Sequence, residues 1–257
     1  MSQLPPGWVR TSLASIADIQ LGRQRSPKNH IGPNMRPYLR AANVTWNGLA
    51  LDDVKEMHFS HAEVTTFRLT PGDILLSEAS GSASEVGKPA LWRGEIDNCC
   101  FQNTLLRVQT RYLEPTYLLW FFKWLALSGQ FARGSRGVGI HHLGAKALSE
   151  WNVPVAPLDE QKRIVAAIEE QFSRLDAGLA ALARVIGPLT GVQSGRVGQL
   201  RSAILAAAIS GRLVAQDAND EPASVLLERI AAERTSSNGQ KLTRSRKPRA
   251  PEEKVTI

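Results

Sequence analysis

Pro157-Leu158-Asp159-Glu160-Gln161-Lys162-Arg163-Ile164-Val165 opens a long helix, and that helix divides the chain. Apolar residues recur at Val165, Ile168, Phe172, Leu175, Leu179, Leu182 and Ile186, alternately three and four apart. This is a heptad a/d seam, and one so regular asks for another long helix beside it. A helix lying on one globular core usually shows a broader stripe. Pro157 stops helix from running in from upstream. Asp159 and Glu160 put negative charge at the positive end of the helix dipole. Residues 1–157 read as one mixed domain, 158–214 as a helical arm, 215–234 as a short C-terminal helix, and 235–257 as a disordered basic tail.

The 257 residues are 43% hydrophobic and 21% charged, which is ordinary for a globular protein with a real core. Met1 to Asp18 lacks a basic start followed by an apolar core, and the longest apolar stretch, Tyr117 to Leu127, is broken by Lys123. The expectation is a cytoplasmic chain with no membrane span. Cys99 and Cys100 are adjacent, a poor geometry for a disulfide, and read as small buried or half-buried thiols in a reducing cytosol. The net charge of +7 divides as +4 over residues 1–157, +1 over 158–211 and +2 over 212–257. Most of the excess is therefore on the N-terminal domain, which makes nucleic acid a candidate partner.

Leu4-Pro5-Pro6-Gly7-Trp8 is a rigid lead-in, with Trp8 as its anchor. Arg23, Arg25, Lys28, Arg36 and Arg40 lie in a Gly/Pro/Asn-rich stretch that reads either as a solvated loop or as a phosphate-contacting one. Strands are expected at Pro37–Val44, Ile74–Ser77, Ala90–Trp92, Cys99–Val108 and Trp151–Val155. A hairpin is expected at Asn47-Gly48. Glu114-Pro115-Thr116-Tyr117 starts a helix to about Leu127, whose face of Tyr117, Trp120, Phe121 and Trp124 reads as core. Helix resumes near Val197 and ends at Gly211, a good C-terminal cap.

No catalytic constellation emerges. Gly81 to Lys88 has the composition of a phosphate loop but not its spacing. Asp73, Glu85 and Lys88 suggest a metal-dependent nuclease core, with spacing off by one. His58 and His61 have no Cys pair or third ligand to hold zinc, and adjacent His141 and His142 point oppositely on an extended backbone. The chain reads as non-enzymatic, with no cofactor and no metal implied. What remains is binding. The Gly-rich basic stretch Arg133 to Leu143 and the small-residue stretch Ser80 to Ser84 are either ordinary surface loops or DNA-facing ones.

Read together, these pieces resemble the specificity (S) subunit of type I restriction-modification systems. The resemblance runs from Leu4 to about Arg234. It rests on Leu4-Pro5-Pro6-Gly7-Trp8, Tyr38-Leu39-Arg40-Ala41-Ala42-Asn43-Val44, Leu69-Thr70-Pro71-Gly72-Asp73-Ile74-Leu75, Gln102-Asn103 and Gly139-Ile140-His141-His142-Leu143. Its most specific parts are Pro157 to Val165 and Leu200-Arg201-Ser202-Ala203-Ile204-Leu205 through Gly211-Arg212-Leu213-Val214. The resemblance implies an α+β chain: a mixed α/β target-recognition domain followed by long coiled-coil-type spacer helices. It implies partners too: double-stranded DNA, a type I modification (methyltransferase) subunit and a restriction/motor subunit. Family members usually carry two recognition domains, so the chain looks half-length.

The expectation is a non-catalytic DNA sequence-specificity subunit that reads one half of a bipartite site. The Val165–Ile186 seam would face a second copy or another half-subunit. The residues expected at DNA are Arg133, Ser135, Arg136 and His141, then Ser80, Ser82, Arg25 and Arg40. Two rivals are an assembly or decoy subunit that binds the modification subunit without reading DNA, and a metal-dependent nuclease. A continuous helix over 159–209 would span up to about 77 Å, and one over 159–185 roughly 40 Å.

Overall fold

The computed structural model describes residues 3–80, 82, 85–134, 141–186 and 191–245, and its fold is α+β as expected. The lead-in enters β1 (Val9–Ser12), the single turn α1 (Leu13–Ile16) and β2 (Asp18–Leu21). β3 (Met35–Leu39), β4 (Val44–Thr45), β5 (Gly48–Leu49), β6 (Lys55–His58) and α2 (His61–Phe67) follow. Next come β7 (Ile74–Ser77), β8 (Ala79–Ser80), β9 (Pro89–Leu91), β10 (Cys100–Phe101) and β11 (Leu105–Gln109). The domain ends with α3 (Pro115–Leu127), α4 (Gln130–Gly134), β12 (His141–His142), α5 (Ala145–Ser149) and β13 (Asn152–Val155). Three long helices close the chain: α6 (Leu158–Ile186), α7 (Gly191–Ile209) and α8 (Ala223–Ser245).

The central sheet is antiparallel, in the order β2-β11-β7-β9. All four residues of β7 are buried because both faces of the sheet are covered. Ile74 and Leu76 face a core shared with α3 and the long helices, whereas Leu75 faces a second core with Leu39, Trp92, Phe101 and Leu105. Period-two alternation between two apolar surroundings explains an uninterrupted Ile-Leu-Leu run. A second sheet, β10-β3-β6, flanks this core, with β10 parallel to β3. Glu63 fixes α2 with a capping box. Its backbone N–H donates to Ser60 Oγ (3.3 Å), and its carboxylate accepts from the Ser60 N–H (2.8 Å).

Several expected elements shift. The strand from Pro37 stops at Leu39, because Asn43 Oδ1 accepts the Arg40 N–H (3.1 Å) and winds residues 41–43 into a 3-10 turn. The hairpin forms one residue early, with Trp46 and Asn47 in the turn and Gly48 opening β5 at φ +118°. The Cys99–Val108 strand is broken into β10 and β11. α7 begins at Gly191 rather than near Val197. α8 continues to Ser245, into the stretch expected to be disordered. The Thr235 and Ser236 hydroxyls donate to the Ala231 and Ala232 carbonyls four residues back (2.9 and 3.0 Å), a geometry that only a helix offers.

The arm is not one continuous rod. α7 lies antiparallel along α6. Arg201 pairs with Asp176 and stands over the Phe172 ring (5.6 Å), while Leu205 and Ala208 share a core with Ile164 and Ile168. This also divides the heptad seam. Ile168 is fully buried, and Val165 and Phe172 pack on the chain's own core; the Phe172 ring meets Trp120 edge-on at 5.2 Å. At the base of the seam, the neighbours are therefore α3 and α7 of the same chain. Leu175 and Leu179 are half-buried and Leu182 is 44% exposed.

The opening of α6 is the joint of the molecule. Glu160 accepts from Trp8 Nε1 (2.9 Å) and Gln216 Nε2 (2.7 Å). Gln161 donates to the Ala156 carbonyl (2.8 Å) and accepts the Glu114 N–H (3.0 Å). Arg163 grips Asp220 through two bonds, 3.1 and 2.5 Å. Lead-in, α3, α6 and the approach to α8 thus meet on consecutive residues. β1 pairs with β13, and the Ala223 N–H donates to the Gly7 carbonyl (2.8 Å). Gly211 ends α7 at φ +69°, where a Cβ would stand 2.2 Å from Pro5 Cγ, so glycine serves both the cap and the close approach.

Candidate nucleic-acid interface

The break between β10 and β11 creates a tight turn, Gln102-Asn103-Thr104, closed by the Leu105 N–H donating to the Gln102 carbonyl (2.9 Å). Three distant segments are bonded to it. The Asn103 N–H donates to the Arg23 carbonyl (3.0 Å), at the root of the basic loop carrying Arg25 and Lys28. The Gln102 N–H donates to the Leu39 carbonyl (2.9 Å), and the Ala41 N–H to Thr104 Oγ1 (3.0 Å), so Arg40 sits between two of these bonds. The Glu78 N–H donates to the Thr104 carbonyl (2.9 Å), and the Glu78 carbonyl accepts the Leu143 N–H (2.8 Å).

Glu78 leads into the two-residue ladder of β8 and β12, in which His141 opposes Ser80 and His142 opposes Ala79. This ladder brings Ser80 and His141 together across about sixty residues of sequence. Ser80 Oγ accepts the Ser82 N–H (3.1 Å). His142 Nδ1 lies 3.3 Å from both Glu78 carboxylate oxygens. Small residues on a short, half-exposed ladder leave backbone and side-chain groups open to a ligand.

The basic residues divide by what already holds them. Arg40 is partly engaged: its Nη2 donates to the Asp53 carboxylate (2.5 Å) and carbonyl (3.2 Å), while its Nε has no partner among the described residues. Lys55 beside Asp53, with Arg40 next to it, holds that carboxyl below the usual range. Arg40 thus braces the Ala50–Asp53 turn through a partly exposed, charge-assisted pair. Arg23 is buried, bonded to Glu63 (2.7 Å) and stacked over Phe59 (4.9 Å), and it pins the root of the basic loop. Arg25 donates to His30 Nε2 (3.1 Å) from an exposed position. Arg133, on α4, donates to the Ser128 carbonyl (3.0 Å) and is exposed. None of these bonds ties Arg133 to the Gln102–Thr104 turn. Ser135, Arg136 and the His141 side chain lie outside the described residues.

The three residues of the nuclease alternative have structural work. Asp73 is buried and accepts from the Thr70 N–H (2.9 Å) and Gln109 Nε2 (2.8 Å), closing the turn before β7. Glu85 takes Lys88 and Trp46 Nε1 (2.9 Å), and the Lys88 ammonium beside it lowers its pKa. A carboxylate spent on a turn is a poor metal ligand. Burial lifts the Cys99 thiol to about 12 and the Cys100 thiol to about 11, far from reactive thiolates. Among the described residues, no group of His, Cys, Asp and Glu is arranged to hold a metal ion, and no helix is long and apolar enough to cross a membrane.

Sequence reasoning missed the turn. A polar Gln-Asn-Thr triplet inside an apolar run was the available signal, because an uninterrupted buried strand would not place three polar side chains there.

The profile of the family described as "Type I restriction modification DNA specificity domain" matches residues 5–181. The chain is 26% identical over 218 residues to the StySPI specificity subunit of Salmonella potsdam, covering 82% of this chain and 44% of that one. It is 28% identical over 221 residues to the EcoKI specificity subunit of Escherichia coli K12, covering 82% and 46%. The chain thus spans about half the length of the curated relatives it matches. A solved structure whose subject is complex assembly and conformational transition of the type I R-M system contains a chain with the same fold. There the TM-score is 0.55 and the identity 22%, over 82% of this chain and 48% of that one. With the profile covering more than two thirds of its residues, this chain belongs to the type I restriction modification DNA specificity domain family.

Proposed function

We propose that this chain is a non-catalytic specificity component that reads one half of a bipartite DNA site and positions modification subunits on it. The observation that carries the reading is the convergence at Gln102–Thr104. One rigid turn holds the roots of the basic loop, of the Arg40 segment and of the Ser80/His141 ladder. A scaffold that gathers loops from three parts of a chain onto one platform suits recognition better than chemistry. The nuclease alternative loses its support, because its three residues brace turns. We assign residues 1–157 to recognition and the α6–α7 hairpin to spacing and docking.

The partners we propose are double-stranded DNA, a modification subunit, a restriction/motor subunit, and a second copy or another half-subunit. Leu175, Leu179 and Leu182 are the part of the seam left for that second chain, since the base of the seam is filled from within. The test is the adenine-methylation motif in cells co-expressing the chain with its modification subunit. A split motif is expected. Palindromic halves mean two copies of this recognition domain, and unlike halves mean a different second reader. Assembly without methylation overturns the reading in favour of a decoy subunit.

A further inference from the structure

We infer that Gln102 and Asn103 are base-reading residues, and that their amide side chains recognise adenine through the major groove. The inference rests on the DNA-recognition reading above and names residues within that site. It starts from an imbalance. Much of the backbone of this turn is engaged: Gln102 and Asn103 donate to the Leu39 and Arg23 carbonyls, the Thr104 carbonyl accepts from Glu78, and Leu105 closes the turn onto Gln102. The two side chains are half-buried, yet among the described residues neither makes a hydrogen bond. An asparagine in a tight turn ordinarily bonds nearby backbone, which stabilises the turn. Here other segments hold the turn, and the amides stay open.

Gly22 shows how firmly the platform is built. A Cβ there would stand 2.2 Å from the Gln102 carbonyl oxygen, so the strand leading into the basic loop lies directly on the turn. Phe101, immediately upstream, is fully buried. The backbone under such side chains loses little conformational freedom on binding. Around it lie the segments carrying Arg25 and Lys28, Arg40, and Ser80, Ser82 and His142. Arg25, Lys28 and Ser80 supply positive charge and a hydroxyl for phosphates on segments bonded to the turn that carries the two neutral amides. An amide presents one donor and one acceptor side by side, matching the N6–H donor and N7 acceptor of adenine.

The test is selection by the purified full chain from a randomised duplex library, followed by affinity measurements on the selected site and on scrambled duplex. The wild-type chain is expected to enrich a motif containing adenine. Gln102→Ala and Asn103→Ala are each expected to lose about 5- to 150-fold discrimination at one adenine position, with scrambled-duplex affinity and melting temperature unchanged. Asn103→Asp is the sharper variant. A carboxylate accepts from cytosine N4 and repels the acceptor N7, so the preference at that position should move from adenine to cytosine. If both alanine variants enrich the wild-type motif, or lose affinity equally for every duplex, the inference is overturned while the DNA-recognition reading stands. A lower melting temperature with an unchanged motif makes the residues structural and also overturns it. If the wild-type chain enriches no motif, the DNA-recognition reading fails, and this inference with it.

Discussion

Gln161 and Gln102 are the same residue put to opposite uses. Gln161 is fully buried, donates to the Ala156 carbonyl and accepts the Glu114 N–H, so both ends of its amide are consumed in joining α3 to α6. Gln102 is half-buried on a turn held by its own N–H and carbonyl, while its side chain makes no hydrogen bond among the described residues. Buried polar groups must be paired, because an unpaired one carries its full desolvation cost. The joint obeys that rule with its side chains, and the candidate interface obeys it with its backbone. A polar cluster that satisfies itself holds a protein together, whereas one satisfied only in its main chain is available to a ligand.

The comparison breaks most visibly at the joint. Gln161→Leu strands the Glu114 N–H and the Ala156 carbonyl in the interior, at about 1–3 kcal/mol each, so denaturant unfolding should show a loss of about 2–6 kcal/mol. If the loss is within error, the joint is not held by these bonds. Within α6, the same heptad spacing gives a second contrast. Ile168→Ala at the filled base should cost about 2–5 kcal/mol by the same measurement. Leu182→Ala at the open tip should stay within about 0.5 kcal/mol. Equal losses would mean that the seam is covered along its whole length.

Glu160 sharpens the comparison through pH. Burial raises its pKa above the ordinary 4.5, against the lowering effect of its bonds from Trp8 and Gln216. Between the ordinary and the raised value, the unfolded chain holds fewer protons than the folded one. Stability therefore falls as pH climbs through that window and levels off above it. Glu160→Gln should lack this slope while wild type keeps it, as read by urea unfolding at a series of pH values upward from 4.5. Parallel profiles would assign the slope to another group. The smallest effect belongs to the interface: Gln102→Ala should shift unfolding by no more than about 0.5 kcal/mol, because no bond within the described fold is lost. A large drop would show that its amide is structural and would erase the contrast with Gln161.

Much of this architecture was legible in the residues. The buried face of α3, the long helix from Leu158, the strand at Ile74–Ser77, the cap at Gly211 and the inert thiols all follow from local pattern and composition. The arm was legible only in part. Heptad spacing reports that a helix needs neighbours, but not whose. The same pattern at Ile168 and Leu182 led to a filled base, where α3 and α7 pack, and to an open tip, where Leu182 is 44% exposed. Arg40 shows a similar limit: the sequence offers it as a DNA-facing residue, and only the fold adds that it pairs with Asp53, thirteen residues on.

For the candidate site, the sequence supplied the small residues at Ser80 and Ser82, the histidines at 141 and 142 and the basic loop, but as separate pieces. Their meeting depends on backbone bonds between residues twenty to eighty positions apart, and such bonds leave no side-chain signature. Local order and burial follow from near neighbours in the chain, so sequence determined the elements and their apolar faces. Which polar groups are spent and which stay open is decided by long-range pairing, so only the tertiary structure separates Gln161 from Gln102.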